Sequence, residues 1–125
     1  METNDTICAL ATPPGTGAIA LIRISGKDSF PIFDKVFNPV KKHFKIAEAK
    51  SHTIHFGTIE TGDELIDEVL VYVYREPNSY TGQDSIEISC HGSPYIQQKI
   101  IELLVREGAR MADAGEFTMR AFFSG

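Results

Sequence analysis

Residues Pro77 to Gly92, Pro-Asn-Ser-Tyr-Thr-Gly-Gln-Asp-Ser-Ile-Glu-Ile-Ser-Cys-His-Gly, constrain the fold more than any other stretch of the chain. Pro-Asn and Thr-Gly supply one fixed φ and one permissive φ within six residues, which reads as a turn. Strict alternation then predicts a strand with Ile86, Ile88 and Cys90 on one face and Ser85, Glu87 and Ser89 on the other. His91-Gly92 closes it, and Ser93-Pro94 supplies the N-cap and first residue of a helix. A carboxylate is thereby held on a strand between a polar loop and a glycine-backed helix entry. Such an arrangement suits binding.

The chain has 125 residues, enough for one domain with a core of its own. No apolar run reaches membrane-spanning length, and Met-Glu-Thr-Asn-Asp carries no features of a signal peptide. Cys8 and Cys90 both fall inside apolar strands, where cysteine acts as a small hydrophobe in a reducing compartment; the cytoplasm is the default expectation. Net charge is −5 and the longest basic tract is Lys41-Lys42, which argues against strong RNA binding by this domain alone.

A first strand is expected over Thr6–Ala11 and a second over Ala18–Ser25, separated by Pro13-Pro14-Gly15-Thr16-Gly17. In the second, Ala20, Ile22 and Ile24 line one side and Ile19, Leu21 and Arg23 the other, so both faces read as covered. Arg23 is the anomaly: a guanidinium amid aliphatic surface needs an anion or several acceptors. A helix is expected over Asp28–Phe37, with Phe30, Phe33 and Phe37 in register and Asn38-Pro39 ending it. Val40–Ser51 reads as a basic surface loop. His52–Glu60 and Ile66–Tyr74 read as paired strands around Thr61-Gly62-Asp63, with both faces of the second covered. Pro94–Glu107 is the clearest helix, striped by Ile96, Ile100, Leu103 and Leu104 and stopped by Gly108. A short last strand is expected over Ala109–Ala112. The aromatic segment Gly115–Phe123 then begins a unit the chain does not complete, as in a fragment cut at a domain boundary.

Several candidate sites dissolve on inspection. Ser25-Gly26-Lys27-Asp28 lacks both the earlier glycine and the following Ser or Thr of a phosphate loop, and reads as a strand-to-helix turn. Gly15-Thr16-Gly17 could form an anion nest but reads more simply as a loop. His52 and His55 diverge on a strand, as do Cys90 and His91, so no zinc pattern arises and no metal is expected. His91 beside a glycine turn reads as a hydrogen-bonded structural residue, with general-base chemistry the alternative. Arg23 and Glu87 remain. Either they form a partly buried ion pair, or they hold a ligand with both donors and carboxylates. A pterin, for instance, offers an N–H and an amino group side by side to a carboxylate, while a guanidinium suits carboxylate or formyl oxygen. The residue pattern leaves both readings open.

Three blocks carry a resemblance: Asp5 to Gly26, Pro77 to Asp84 with Glu87 and Cys90-His-Gly92, and Gly115-Glu-Phe-Thr-Met-Arg-Ala-Phe122. In order and spacing they resemble the N-terminal domain of the tRNA-modification GTPase family (TrmE, also called MnmE). The resemblance implies an α+β fold, a mixed sheet packed with two main helices, similar to the folate-binding domain of aminomethyltransferases. It implies residues 1–118 as a folate-binding dimerisation domain and residues 119–125 as the start of a helical domain. It implies 5-formyltetrahydrofolate or another reduced folate as ligand, a homodimer, and Arg23 and Glu87 as folate contacts. A further basic folate contact of the family would lie beyond Gly125. Gln83 and Ser93 stand where many members carry an acidic residue and a second glycine. The intact protein would be a GTP hydrolase using potassium and magnesium. With a flavin-dependent subunit (MnmG, also called GidA) it would modify carbon 5 of the wobble uridine of tRNA. This chain holds no GTPase motif or catalytic residue, and is expected to be inactive alone. The rivals are a purely structural dimerisation module and an RNA-binding α+β domain.

Overall fold

In the computed structural model, which describes residues 4–124, seven strands form one sheet in the order β3-β4-β5-β6-β2-β1-β7. The strands are β1 (Ile7–Leu10), β2 (Ile19–Ser25), β3 (Phe37–Pro39), β4 (Thr53–Thr61), β5 (Glu64–Tyr74), β6 (Ser85–His91) and β7 (Arg110–Met111). All neighbours are antiparallel except β1 and β7, so the sheet is mixed. Helices α1 (Ser29–Asp34), α2 (Pro94–Arg106) and α3 (Glu116–Phe123) complete an α+β fold. No helix among the described residues is long and apolar enough to cross a membrane.

One face of the sheet carries the core. Ile22 and Ile24 of β2, Ile86 and Ile88 of β6, and Val69, Val71 and Val73 of β5 are buried there under Phe30 and Phe33 of α1 and Ile100, Leu103 and Leu104 of α2. Helix α2 forms where expected: Pro94 opens it, its apolar stripe meets the sheet, and the chain leaves through Gly108 at φ +123°. Ser93 occupies the N-cap with extended backbone but makes no side-chain capping bond. Cys8 and Cys90 are free and buried, and burial pushes both thiols up to about 11, as befits small hydrophobes.

Three expectations give way. Helix α1 ends at Asp34, and Phe37 instead begins β3, whose backbone bonds to β4. Phe37 stacks on Phe33 at 4.9 Å between ring centroids, so the aromatic spacing is satisfied across a helix end. Gly57 of β4 makes room: a Cβ there would lie 2.3 Å from the Asn38 carbonyl oxygen. The Val40–Ser51 segment is not wholly surface, since Ile46 and Ala49 are buried around a short 3-10 turn at Ile46–Glu48. The second face of the sheet is only half covered: Ile19 is 66 % exposed, Ile54 60 %, Phe56 43 % and Leu70 42 %.

The other half of that face is roofed by the segment 75–84 and by α3. Ser25, Thr81 and Ser85 form a buried hydroxyl cluster beneath the loop, with Ser25 bonded to both partners. The backbone N–H of Gly26 donates to the Asp84 carbonyl (3.0 Å). Gly26, at φ +136°, is thus the strand-to-helix turn read from the sequence. Gly92 closes the opposite end of β6 against Gly17, too closely for any side chain.

Candidate functional site

Strand register brings the two singled-out charges together. Arg23 of β2 lies directly opposite Glu87 of β6, and Glu87 opposite Tyr72 of β5. Because neighbours of Arg23 and Glu87 on their own strands face the core, both charges emerge on the half-open face. Glu87 Oε2 accepts from Arg23 Nε (2.8 Å) and lies 2.7 Å from Nη2. Both side chains are about one-fifth exposed, at 21 % and 19 %. One carboxylate oxygen therefore takes the whole ion pair. Among the described residues, Glu87 Oε1 and Arg23 Nη1 have no hydrogen-bond partner. The site presents an unused acceptor on Glu87 and, on the edge of the guanidinium turned away from it, an unused donor on Arg23.

Aromatic rings frame the pair. The Arg23 Cζ lies 5.1 Å from the Tyr80 ring centroid and 5.4 Å from that of Phe117. Burial, and next the Glu87 charge, hold the Tyr74 hydroxyl above the usual phenol range. A shallow, open depression of about 490 Å³, lined by His52, Tyr74, Pro77, Asn78, Ser79 and Tyr80 and not by Arg23 or Glu87, adjoins them through Tyr80. That volume falls within the range of small-molecule sites.

A second charged cluster, which the sequence reading did not find, fixes α3. Arg120 is 1 % exposed; its guanidinium donates to the Asp5 carbonyl and carboxylate, to Gln83 Oε1 (3.1 Å) and to Glu116 Oε2 (3.1 Å). Arg110 of β7 joins in, donating to Asp5 Oδ2 (2.8 Å) and Glu116 Oε2 (2.7 Å). Hydrogen bonding from Arg110 is the leading reason that the Glu116 carboxyl is pulled down to about 2 and the Asp5 carboxyl below its usual range. The four-residue spacing of Glu116 and Arg120 was a legible signal, but on an aromatic helix it reads as a surface pair. Helix α3 runs unbroken across the expected boundary at 118/119.

The remaining candidates make contacts within the fold. His91 places Nδ1 2.7 Å from Asp67 Oδ1, and its backbone N–H donates to Asp67 Oδ2 (2.8 Å), as a hydrogen-bonded structural histidine would. Gly17 spends its N–H on the Gly92 carbonyl (2.9 Å), which leaves the 15–17 segment an ordinary loop. Among the described residues no three His, Cys, Asp or Glu side chains gather as metal ligands.

Residues 6–125 match the family model described as "GTP-binding protein TrmE N-terminus". The chain belongs to this family. It is 58 % identical over 125 residues to the tRNA modification GTPase MnmE of Flavobacterium johnsoniae, covering 100 % of this chain and 27 % of that protein. It is 54 % identical over 124 residues to the MnmE of Christiangramia forsetii, covering 99 % and 26 %. For the MnmE of Bacteroides fragilis strain YCH46 the identity is 52 % over 122 residues, covering 98 % and 26 %. The chain thus spans about a quarter of the length of these curated TrmE/MnmE relatives.

The Glu116 cluster has a measurable pH signature. Its folded-state carboxyl, at about 2, lies below the ordinary value of 4.5, so its contribution to stability is complete above pH 4.5 and is lost as pH falls toward 2. Urea unfolding between pH 5 and pH 2 should show stability declining through that window, with a shallower decline in Glu116→Gln. Identical slopes in the two proteins would show that Glu116 does not carry the effect.

Proposed function

We propose that this chain is the reduced-folate-binding and dimerising domain of a cytoplasmic GTPase, with Arg23 and Glu87 as the ligand contacts. The observation that carries the proposal is that Arg23 and Glu87, paired across the half-open sheet face, each keep an atom without a hydrogen-bond partner among the described residues, Arg23 Nη1 and Glu87 Oε1. The residues present fit a folate. A carboxylate oxygen accepts from the N–H edge of a pterin, a guanidinium N–H donates to a formyl or carboxylate oxygen, and aromatic rings border both. When bound, 5-formyltetrahydrofolate or another reduced folate would supply a one-carbon unit. Residues 119–125, which begin within α3 (Glu116–Phe123), would lead into a helical domain.

For the intact protein we propose a wider role, modification of carbon 5 of the wobble uridine of tRNA; the relatives, named as tRNA modification GTPases, support it as far as tRNA modification. A flavin-dependent MnmG/GidA-like subunit would be the partner. GTP, potassium and magnesium would bind outside this chain. The acidic net charge of −5 disfavours the alternative of an RNA-binding domain.

The dimer reading rests on the open half of the sheet. Phe56, Leu70 and Ile19 expose apolar surface around a groove of about 320 Å³ that also reaches His91. Its position next to Arg23 and Glu87 would set the ligand close to a subunit boundary.

Calorimetric titration of the chain with 5-formyltetrahydrofolate should show binding that Arg23→Ala and Glu87→Ala each weaken more than tenfold, about 1.4 kcal/mol. Undiminished binding in both variants would overturn the site assignment. Sedimentation of the unaltered chain should show a concentration-dependent dimer that Leu70→Lys abolishes. A dimer that survives Leu70→Lys would move the interface elsewhere.

A further inference from the structure

The Arg23 guanidinium is gripped by rings from two separate parts of the chain. Tyr80 belongs to the loop before β6, and Phe117 to the first turn of α3. The two parts are joined above Arg23, because the Tyr80 hydroxyl and Thr118 Oγ1 share a hydrogen bond of 3.1 Å. Below, Arg120 and Glu116 tie the same helix to Asp5 and Arg110.

An arginine side chain has several rotatable bonds, and ordering it against a ligand costs conformational entropy. A guanidinium already held by one carboxylate oxygen and two ring faces loses less of that freedom when a ligand arrives. Among the described residues Nη1 has no hydrogen-bond partner, so the grip on the guanidinium does not use that N–H.

We propose that Tyr80 and Phe117 are positioning residues of the ligand site, clasping Arg23 so that its free N–H is presented to an anionic or carbonyl oxygen of the ligand. Because Phe117 rides on α3, the affinity of the site depends on where α3 sits. This inference rests on the folate reading above and adds to it two residues.

The probe is 5-formyltetrahydrofolate, titrated against the unaltered chain, Tyr80→Leu, Phe117→Leu and Phe117→Tyr. Tyr80 is 55 % exposed, so Tyr80→Leu removes a ring without opening the core. Both leucine variants should bind roughly tenfold more weakly, and Phe117→Tyr, which restores a ring, should recover most of the loss. In parallel, the Arg23 Nε–H proton resonance should sit upfield in the unaltered chain, through the ring currents of its neighbours. It should shift downfield in both leucine variants. That shift reports that the ring stands over the guanidinium; a purely structural role would show the shift with no loss of ligand affinity. Absence of folate binding by the unaltered chain overturns the folate reading and this one with it. Binding that depends on Arg23 yet persists undiminished in both leucine variants overturns the clasp alone.

Discussion

The register between β2 and β6 governs the rest of the molecule. Ile22 meets Ile88 and Ile24 meets Ile86 in the core, and between them Arg23 must meet Glu87 on the other face. A slip of either strand by one residue would drive its charge under α1 and α2 and bring its isoleucines out, so burial on one face enforces the charge pairing on the other. Hydrophobic packing of these isoleucines, each worth about 1.5–3 kcal/mol when fully buried, outweighs what a partly exposed ion pair contributes. The core therefore sets the site, and the ion pair follows.

The two faces divide the labour. One is sealed by α1 and α2. The second is closed only at the end where the hydroxyl cluster and α3 lie, and the Arg23–Glu87 pair stands near the change from covered to open surface. Holding α3 there requires burying Arg120, a charge whose desolvation is repaid only with excellent partners. Asp5, Glu116 and Gln83 supply them, and among the described residues only its Nε remains unpaired. A buried cation surrounded in this way fixes one position of the helix more firmly than apolar packing of so short a segment would.

Much of this was legible in the sequence because it rests on local periodicity. Alternation in Ser85–His91 and Ile19–Ser25 gave the strands and the faces of Arg23 and Glu87, and the stripe on Pro94–Arg106 gave α2. The misreadings came where tertiary contacts overrule local pattern. Phe37 keeps helical spacing from Phe33, yet Gly57 offers β3 a closer bed. The second faces of β2 and β5 looked covered because Leu21, Leu70 and Tyr72 are apolar or aromatic, and periodicity cannot tell a face under a helix from one left open. The Arg120 network joins residues more than a hundred positions apart, and the clasp of Tyr80 and Phe117 on Arg23 joins three segments. Apart from the four-residue step from Glu116 to Arg120, neither leaves a spacing signal.

The most direct measurement is a crystal structure of this chain bound to 5-formyltetrahydrofolate. The account predicts the pterin within hydrogen-bond reach of the Glu87 carboxylate, with Arg23 donating to a ligand oxygen beside Tyr80 and Phe117. Ligand density elsewhere on the molecule, with Arg23 and Glu87 still spent only on each other, would contradict it.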